Sequence, residues 1–305
     1  MPDNPLSIGD SVLFICMLLP CIYLFVLAWA SMRKESYRYP KSIQEHRFAI
    51  LLPCGTTLSE QKYPETLYDI YFYHSLPETV QTLDETKYHM AIILDKGSSA
   101  SHTLLSSINN AYSAGITAIQ LHHTIAPIAT RKLKRQAIHE GITQSLFSQG
   151  CVQMGLSSAF SGTDVALEIK WLRRNMKSKQ SNLEERLLQQ NIFIEYLSYA
   201  SVCSPTGRIP SHFITIRKAL TTLPQAILYG QWSYVNRLIQ CFIPSWKGLL
   251  IITTSLAVVT TSYNPLASAK WWMLLLALLF TLSMAFPDEL VRDKKRRRNL
   301  KFLKT

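Results

Sequence analysis

Residues 88–101 read YHMAIILDKGSSAS, an unbroken apolar run that ends in Asp95 and a Lys-Gly-Ser turn. A short apolar run bounded by turn residues predicts a buried strand. RFAILLP at 47–53 has the same form, and further strands are expected at YDIYFYH, 68–74, and TAIQLHHT, 117–124. Between the last two strands, residues 102–114 predict a helix, closed by Gly115 in the C-cap position. Strands alternating with helices predict an α/β sheet with parallel strands. In such sheets ligands sit beyond the carboxyl ends of the strands, and Asp95 stands at one of those ends.

Outward from this stretch the chain turns helical. Residues 132–149 have good helix formers in an apolar rhythm. Residues 167–176 continue it, with Trp171 and Leu172 expected to be buried. LEERLLQQ, 183–190, predicts a short amphipathic helix, followed by a strand at NIFIEYL, 191–197, and another at 199–202. A further helix is expected over 211–223. WSYVNRLIQCFI, 232–243, is amphipathic, the kind of helix that lies in a membrane interface. Residues 46–240 together make one soluble domain of ordinary size.

The ends of the chain are different. Of the 305 residues, 48% are apolar and only 17% charged, below the roughly 25% typical of soluble domains. Residues 11–32 are uncharged, VLFICMLLPCIYLFVLAWA at their centre, long enough for a spanning helix. The preceding residues 1–10 carry Asp3 and Asp10 and no Lys or Arg, while Arg33, Lys34, Arg38 and Lys41 follow the run. A cleaved signal peptide has the opposite polarity, so the run reads as an anchor. Two more apolar runs, at 248–269 and 271–287, flank a turn at Asn264-Pro265 and predict a helical hairpin with spans over 247–263 and 270–287. The second run is the short one, and Trp246, Trp271 and Trp272 stand at run ends, where interfacial aromatics belong. The net charge of +12 concentrates in residues 33–41 and in the tail 288–305, with Lys294–Arg298 as its densest part. Both positions predict a cytoplasmic domain and C-terminus and an external N-terminus, with lipid headgroups as the tail's contact. Nucleic-acid binding is not expected, because aromatics are not interleaved with the basic residues. The six cysteines show neither CxxC nor zinc spacing. Cys54 is the one placed where reactivity is worth considering, against the simpler reading of a small buried residue.

In order and spacing, several segments resemble membrane-anchored family 2 glycosyltransferases of the GT-A fold. They are FAILLP, QKYPETLYDIYFY, IILD, AYSAGITAIQLHHT, QMGLSSAFSGTDVAL and LEERLLQQNIFIEYL. The resemblance covers most of residues 46–220. It implies a truncated GT-A-like α/β domain with one N-terminal and two C-terminal transmembrane helices, in a bacterial inner membrane. The truncation is in the nucleotide half: only about 14 residues separate Pro53 from the next strand, and 74–87 is equally short, too little for a full crossover.

The motifs that carry the family's chemistry are altered. Where the family has Asp-any-Asp to hold a divalent cation, this chain has Asp95-Lys96-Gly97. The resemblance places the general base at Lys179-Gln180; Glu184 and Glu185 come one turn later and read as solvated helix carboxylates. The Gln-any-any-Arg-Trp motif is replaced by residues 215–219, where Arg217 and Lys218 keep positive charge. The first turn is Cys54-Gly55-Thr56-Thr57 in place of an acidic or amide pair. Losing the metal site and base together points to a catalytically degenerate protein with no cofactor, a partner or regulator in cell-envelope polysaccharide or glycolipid synthesis. Its partners would be membrane lipid and an active glycosyltransferase or another envelope-synthesis subunit. The alternative is an active, divergent transferase using Mg²⁺ or Mn²⁺ with a nucleotide sugar. For that reading Asp95 is the metal candidate and Asp164 or Glu184 the base. Lys96, Arg217 and Lys218 would offset the diphosphate charge.

Overall fold

The computed structural model describes residues 5–33, 39–54, 56, 58–125, 130–161, 163–176, 182–205 and 215–287. In chain order the elements are α1 (Pro5–Ser31), β1 (Phe48–Pro53), a 3-10 turn (Glu65–Leu67), β2 (Tyr68–Tyr73), α2 (Leu76–Thr82), β3 (Met90–Ile93) and β4 (Ser99–Ala100). Next come α3 (Leu104–Ser113), β5 (Ala118–Ile125), α4 (Arg131–Gln144), a π-helical turn (Ser145–Gly150), α5 (Cys151–Gln153), β6 (Val165–Glu168) and α6 (Ile169–Asn175). The chain continues through α7 (Leu183–Gln189), β7 (Ile194–Ser204), α8 (Ile216–Leu228), α9 (Trp232–Gln240), α10 (Trp246–Tyr263) and α11 (Pro265–Met284).

The architecture is mixed α/β, with one seven-stranded sheet in the order β2-β1-β3-β6-β5-β7-β4. β1 pairs parallel with β2 and β3, and β5 pairs parallel with β7. The expected all-parallel pattern fails at β6, which runs antiparallel to both β3 and β5, and at the short β4 beside β7. The sequence reading placed a helix over 167–176; the helix starts only at Ile169, and Val165–Glu168 are strand. Val165, Ala166 and Leu167 are all fully buried, so no apolar-polar alternation marks them, and four residues are too few to distinguish strand from helix by period. Similarly, the two strands expected at 191–197 and 199–202 are one. β7 bulges where its register with β5 jumps, Leu121 facing Leu197 and His122 facing Ser201.

The short crossovers hold no more than their lengths allow: the 3-10 turn between β1 and β2, and the seven-residue α2 before β3. Period-2 alternation divides the core. Ala49, Leu51, Ala91 and Ile93 face a layer built from α2, α6, α7, α8 and α9. Phe48, Ile50, Leu52, Met90 and Ile92 face α3. α3 ends as expected at Gly115, whose φ of +92° is ordinary only for glycine.

A third apolar cluster joins α1, α10 and α11 to the π turn and α5. Two helices are long and apolar enough to cross a membrane, Gly9–Ser31 and Pro265–Met284; the apolar helix Trp246–Ser262 is shorter. The order of lengths expected for the hairpin is thus reversed. Asn264 caps α11 by accepting the Ala267 N–H at 3.2 Å, and Pro265 fits its first position, so the helix reaches back through Lys270. Trp271 is correspondingly not at a run end. It is fully buried, edge-on to Phe14 at 5.4 Å, and its indole N–H donates to Asp10 Oδ1 at 3.0 Å. Lys270 pairs with the same aspartate. The tail 288–305, Gly55, Thr57, Lys179, Gln180 and residues 206–214 lie outside the described residues.

Candidate functional site at the carboxyl edge of the sheet

Because β6 runs against its neighbours, its first residue sits at their carboxyl edge. Asp164, just before it, is fully buried and has a φ of +50°, a conformation that costs a non-glycine residue roughly 1–2 kcal/mol. The surroundings hold it there. Its Oδ1 accepts the Asp95 N–H at 3.0 Å, and its carbonyl accepts the Leu121 N–H at 3.0 Å and the Gln120 side-chain amide at 3.2 Å. Gln120 Oε1 in turn accepts from the Ser161 N–H at 2.9 Å and its hydroxyl at 3.0 Å. The Asp95 turn is tied to the same edge. The Lys96 N–H donates to Asp95 Oδ1 at 2.7 Å, and the Gly97 N–H to Thr56 Oγ1 at 3.2 Å. Asp95, Lys96 and Asp164 are therefore together, with Asp95 half-buried and Lys96 exposed.

The other sequence candidates are elsewhere. Glu184 and Glu185 are not solvated; each is buried. Glu184 Oε1 is 2.9 Å from Arg237 Nε and accepts the Phe160 N–H at 3.2 Å. Glu185 takes the Lys218 ammonium at 2.6 Å and the Tyr234 hydroxyl at 2.9 Å. α7 is amphipathic as expected, but α8 and α9 cover the side assigned to water. Lys218 is thereby neutralised within the protein, while Arg217 is exposed. Cys54 is also exposed rather than buried, its Sγ 3.6 Å from His74 Nε2. Trp171 is only partly buried, unlike Leu172. Each of the two carboxylates, Asp95 and Asp164, already receives a backbone N–H on its Oδ1. Among the described residues no three His, Cys, Asp or Glu side chains are grouped to hold a metal ion.

Sequence reasoning missed the largest polar constellation at this edge. His123, near the end of β5, is buried between Glu140 Oε1, 2.5 Å from its Nδ1, and Ser204 Oγ, 2.8 Å from its Nε2. His122 Nδ1 is 2.5 Å from the Tyr196 hydroxyl, which donates to Gln144 Oε1 at 3.0 Å; Gln144 donates to the His123 carbonyl at 3.0 Å. Carboxylate, imidazole and hydroxyl stand in hydrogen-bond order, with His123 and Ser204 buried, an order in which a carboxylate orients an imidazole toward a hydroxyl. The signal was present in the sequence: adjacent histidines at a strand end, and Glu140 and Gln144 four apart on one helix face.

One turn of α4 links this network to the three apolar helices. Glu140 points to His123, while its neighbours face the other way. His139 Nδ1 accepts the Trp246 indole N–H at 3.0 Å, and a Cβ on Gly141 would meet Pro287 Cγ at 2.6 Å. Nearby, burial pushes the Cys151 thiol up to about 11, although Asn236 and Gln240 reach its sulfur at 3.6 Å; it is an inert core residue. Burial and then Lys247 hold the His139 pKa below its ordinary value. An unfolded imidazole therefore takes its proton first as pH falls. The Trp246 contact contributes fully above about pH 6.5 and is lost as pH drops through the folded value. Thermal melts in detergent should show stability falling between pH 7 and 5, and His139→Gln, which keeps an acceptor, should flatten that slope. An identical slope in the variant would remove His139 from the account.

No family model matches the sequence, and no curated protein is similar to it. Among solved structures the chain is similar to a glycosyltransferase, the mannosyltransferase PcManGT from Pyrobaculum calidifontis in complex with GDP-Man and Mn2+. The identity is 10% over 90% of this chain and 97% of that one, with a TM-score of 0.45.

Proposed function

We propose that this chain is a membrane-anchored, glycosyltransferase-like protein that works without transferring sugar itself, as a partner or regulator in cell-envelope polysaccharide or glycolipid synthesis. One observation carries the reading: both carboxylates near the expected base position are buried and already ion-paired, Glu184 with the partly buried Arg237 and Glu185 with Lys218, whose own side chain stays half exposed. A base must be free to take the acceptor's proton, and a lysine that offsets diphosphate charge must not already be neutralised. Also in support, the segments that carry the family resemblance lie on β1, β2, β3, β5, α7 and β7, or just before β6, around one sheet. The domain would be cytoplasmic, held by α1 and by the α10–α11 hairpin.

The second reading, an active divergent transferase, is favoured by the Glu140–His123–Ser204 hydrogen-bond chain at the same edge as Asp95. It needs no base from α7. Nucleotide binding separates the two. Purified protein should show no thermal shift with nucleoside diphosphates or their sugars, with or without Mn²⁺, and an intact glycosyltransferase should co-purify in mild detergent. A shift that Asp95→Asn abolishes, or sugar transfer lost in that variant, would establish the active reading instead.

A further inference from the structure

Strand register makes Cys54 and His74 neighbours. β1 and β2 are parallel and pair Pro53 with Tyr73, so the next residue of each, Cys54 and His74, leaves the sheet at the same level. The two side chains meet there. Cys54 Sγ is 3.6 Å from His74 Nε2, a hydrogen-bond distance for sulfur, and the Tyr73 carbonyl is the thiol's other acceptor at 3.8 Å. Both residues are exposed. β2 is the edge strand, so the pair stands at a corner of the sheet. Two other thiols outside the apolar helices are placed differently: burial raises Cys151 and Cys241 above the ordinary range, and Cys241 donates to the Arg237 carbonyl at 3.4 Å.

A thiol reacts as its thiolate, and an ordinary one is only a few per cent ionised at neutral pH. An imidazole within hydrogen-bond reach can take that proton and so activate the sulfur. Acyl transfer would also need donors for an oxyanion, whereas exchange with a disulfide needs only a base on the attacking sulfur and open access to it. The exposed pair offers both. We propose that Cys54 is a site of reversible S-thiolation by small disulfides such as glutathione disulfide, with His74 as its base. The Sγ–H bond breaks and its proton goes to His74 Nε2. Sγ then forms a bond to one sulfur of the disulfide as the old S–S bond breaks, and the departing thiolate takes the proton back from His74. Cys54 is oxidised and the departing sulfur is reduced. The adduct stands beside the Asp95 turn, because Thr56, two residues on, accepts the Gly97 N–H at 3.2 Å, and the Tyr73 hydroxyl donates to the Leu94 carbonyl at 3.4 Å. Access to the carboxyl edge thus answers to the thiol–disulfide balance around the protein, under either reading of that edge.

The test treats the full chain in detergent with glutathione disulfide at neutral pH, quenches with acid and maps the adducts by peptide mass spectrometry. Cys54 should be the first thiol modified, and dithiothreitol should release the adduct. His74→Gln keeps a polar side chain but no base, and should slow the Cys54 reaction about tenfold, because only the small ionised fraction then reacts. In His74→Ala, added imidazole should restore most of the rate, which a merely structural role of His74 would not allow. Both positions are exposed, so the variants should melt with the parent. An equal Cys54 rate in His74→Gln would overturn the proposal. So would alkylation of Cys54 by iodoacetamide without any disulfide adduct, since the thiol would then be accessible but unable to exchange.

Discussion

Arg237→Ala is expected to destabilise the protein by about 3–5 kcal/mol, the usual result of stripping one partner from a buried ion pair. Glu184 is 7% exposed. It receives Arg237 through Nε at 2.9 Å and a terminal amino group at 3.3 Å, and from elsewhere the Phe160 N–H at 3.2 Å. Without the guanidinium a carboxylate would remain in the core with one weak donor, and desolvation would then outweigh its remaining hydrogen bond. For a domain of this size the loss corresponds to a melting temperature roughly 10 °C lower. The rescue is specific. Glu184→Gln in the Arg237→Ala background removes the stranded charge and should recover most of the loss, whereas Glu184→Gln alone should itself destabilise. If Arg237→Ala melts within a degree or two of the parent, the pair is not a closed structural unit, and Glu184 returns as a candidate base.

This pair also shows where sequence reasoning stopped. The amphipathic pattern of residues 183–190 identified a helix, and the helix is there. What the pattern could not supply was the partner across space. Arg237 is 53 residues later, in a segment read for its membrane-facing face rather than its core-facing one. A polar stripe on a helix normally means water, and the exceptions are decided by non-local packing. The strands β1 and β3 were legible because each is an unbroken apolar run closed by turn residues; β2, which carries Asp69 and proves to be a partly exposed edge strand, and β5, interrupted by Gln120, His122 and His123, were legible through their aromatic and β-branched residues. β6 was not, being four residues long and buried on both faces. The histidine network was half legible: His122 and His123 ended a recognised strand, but Glu140 and Ser204 reach them only through the placement of α4 and the bulge in β7. The expected membrane segments rest on composition; two of the three helices are long and apolar enough to cross a membrane, and the Asn264 cap and Pro265 start α11 earlier than its charge pattern suggested.

Gly150→Ala is the second large expected effect, and its sign is informative. Gly150 has φ −60° and ψ −42°, ordinary helical values at which alanine is normally better than glycine by roughly 1 kcal/mol. On local grounds the substitution should stabilise. The tertiary environment predicts the reverse. A Cβ at Gly150 would lie 2.5 Å from the Leu27 carbonyl oxygen and 3.2 Å from its carbonyl carbon. That oxygen belongs to the backbone of α1 and cannot rotate away as a side chain can, so α1 must retreat from the π turn. Overpacking of this kind costs about 1–3 kcal/mol, more for Gly150→Val, and here it falls on the docking of one helix. Ser31 Oγ and Ser145 Oγ are 3.2 Å apart across the same junction, so a Ser31→Cys/Ser145→Cys pair should cross-link readily and report that docking. The cross-link should form several-fold more slowly in the Gly150→Ala background, in line with the stability lost. Gly9→Ala, in α1 with nothing within 4 Å of the added carbon, should leave it unchanged. A higher melting temperature and unaltered cross-linking for Gly150→Ala would mean that α1 does not press on this turn. The consequence reaches the site, because the π turn continues directly from α4. Displacing it should also loosen Gln144 from Tyr196 and Glu140 from His123, so that detaching the anchor and disordering the histidine network are a single event.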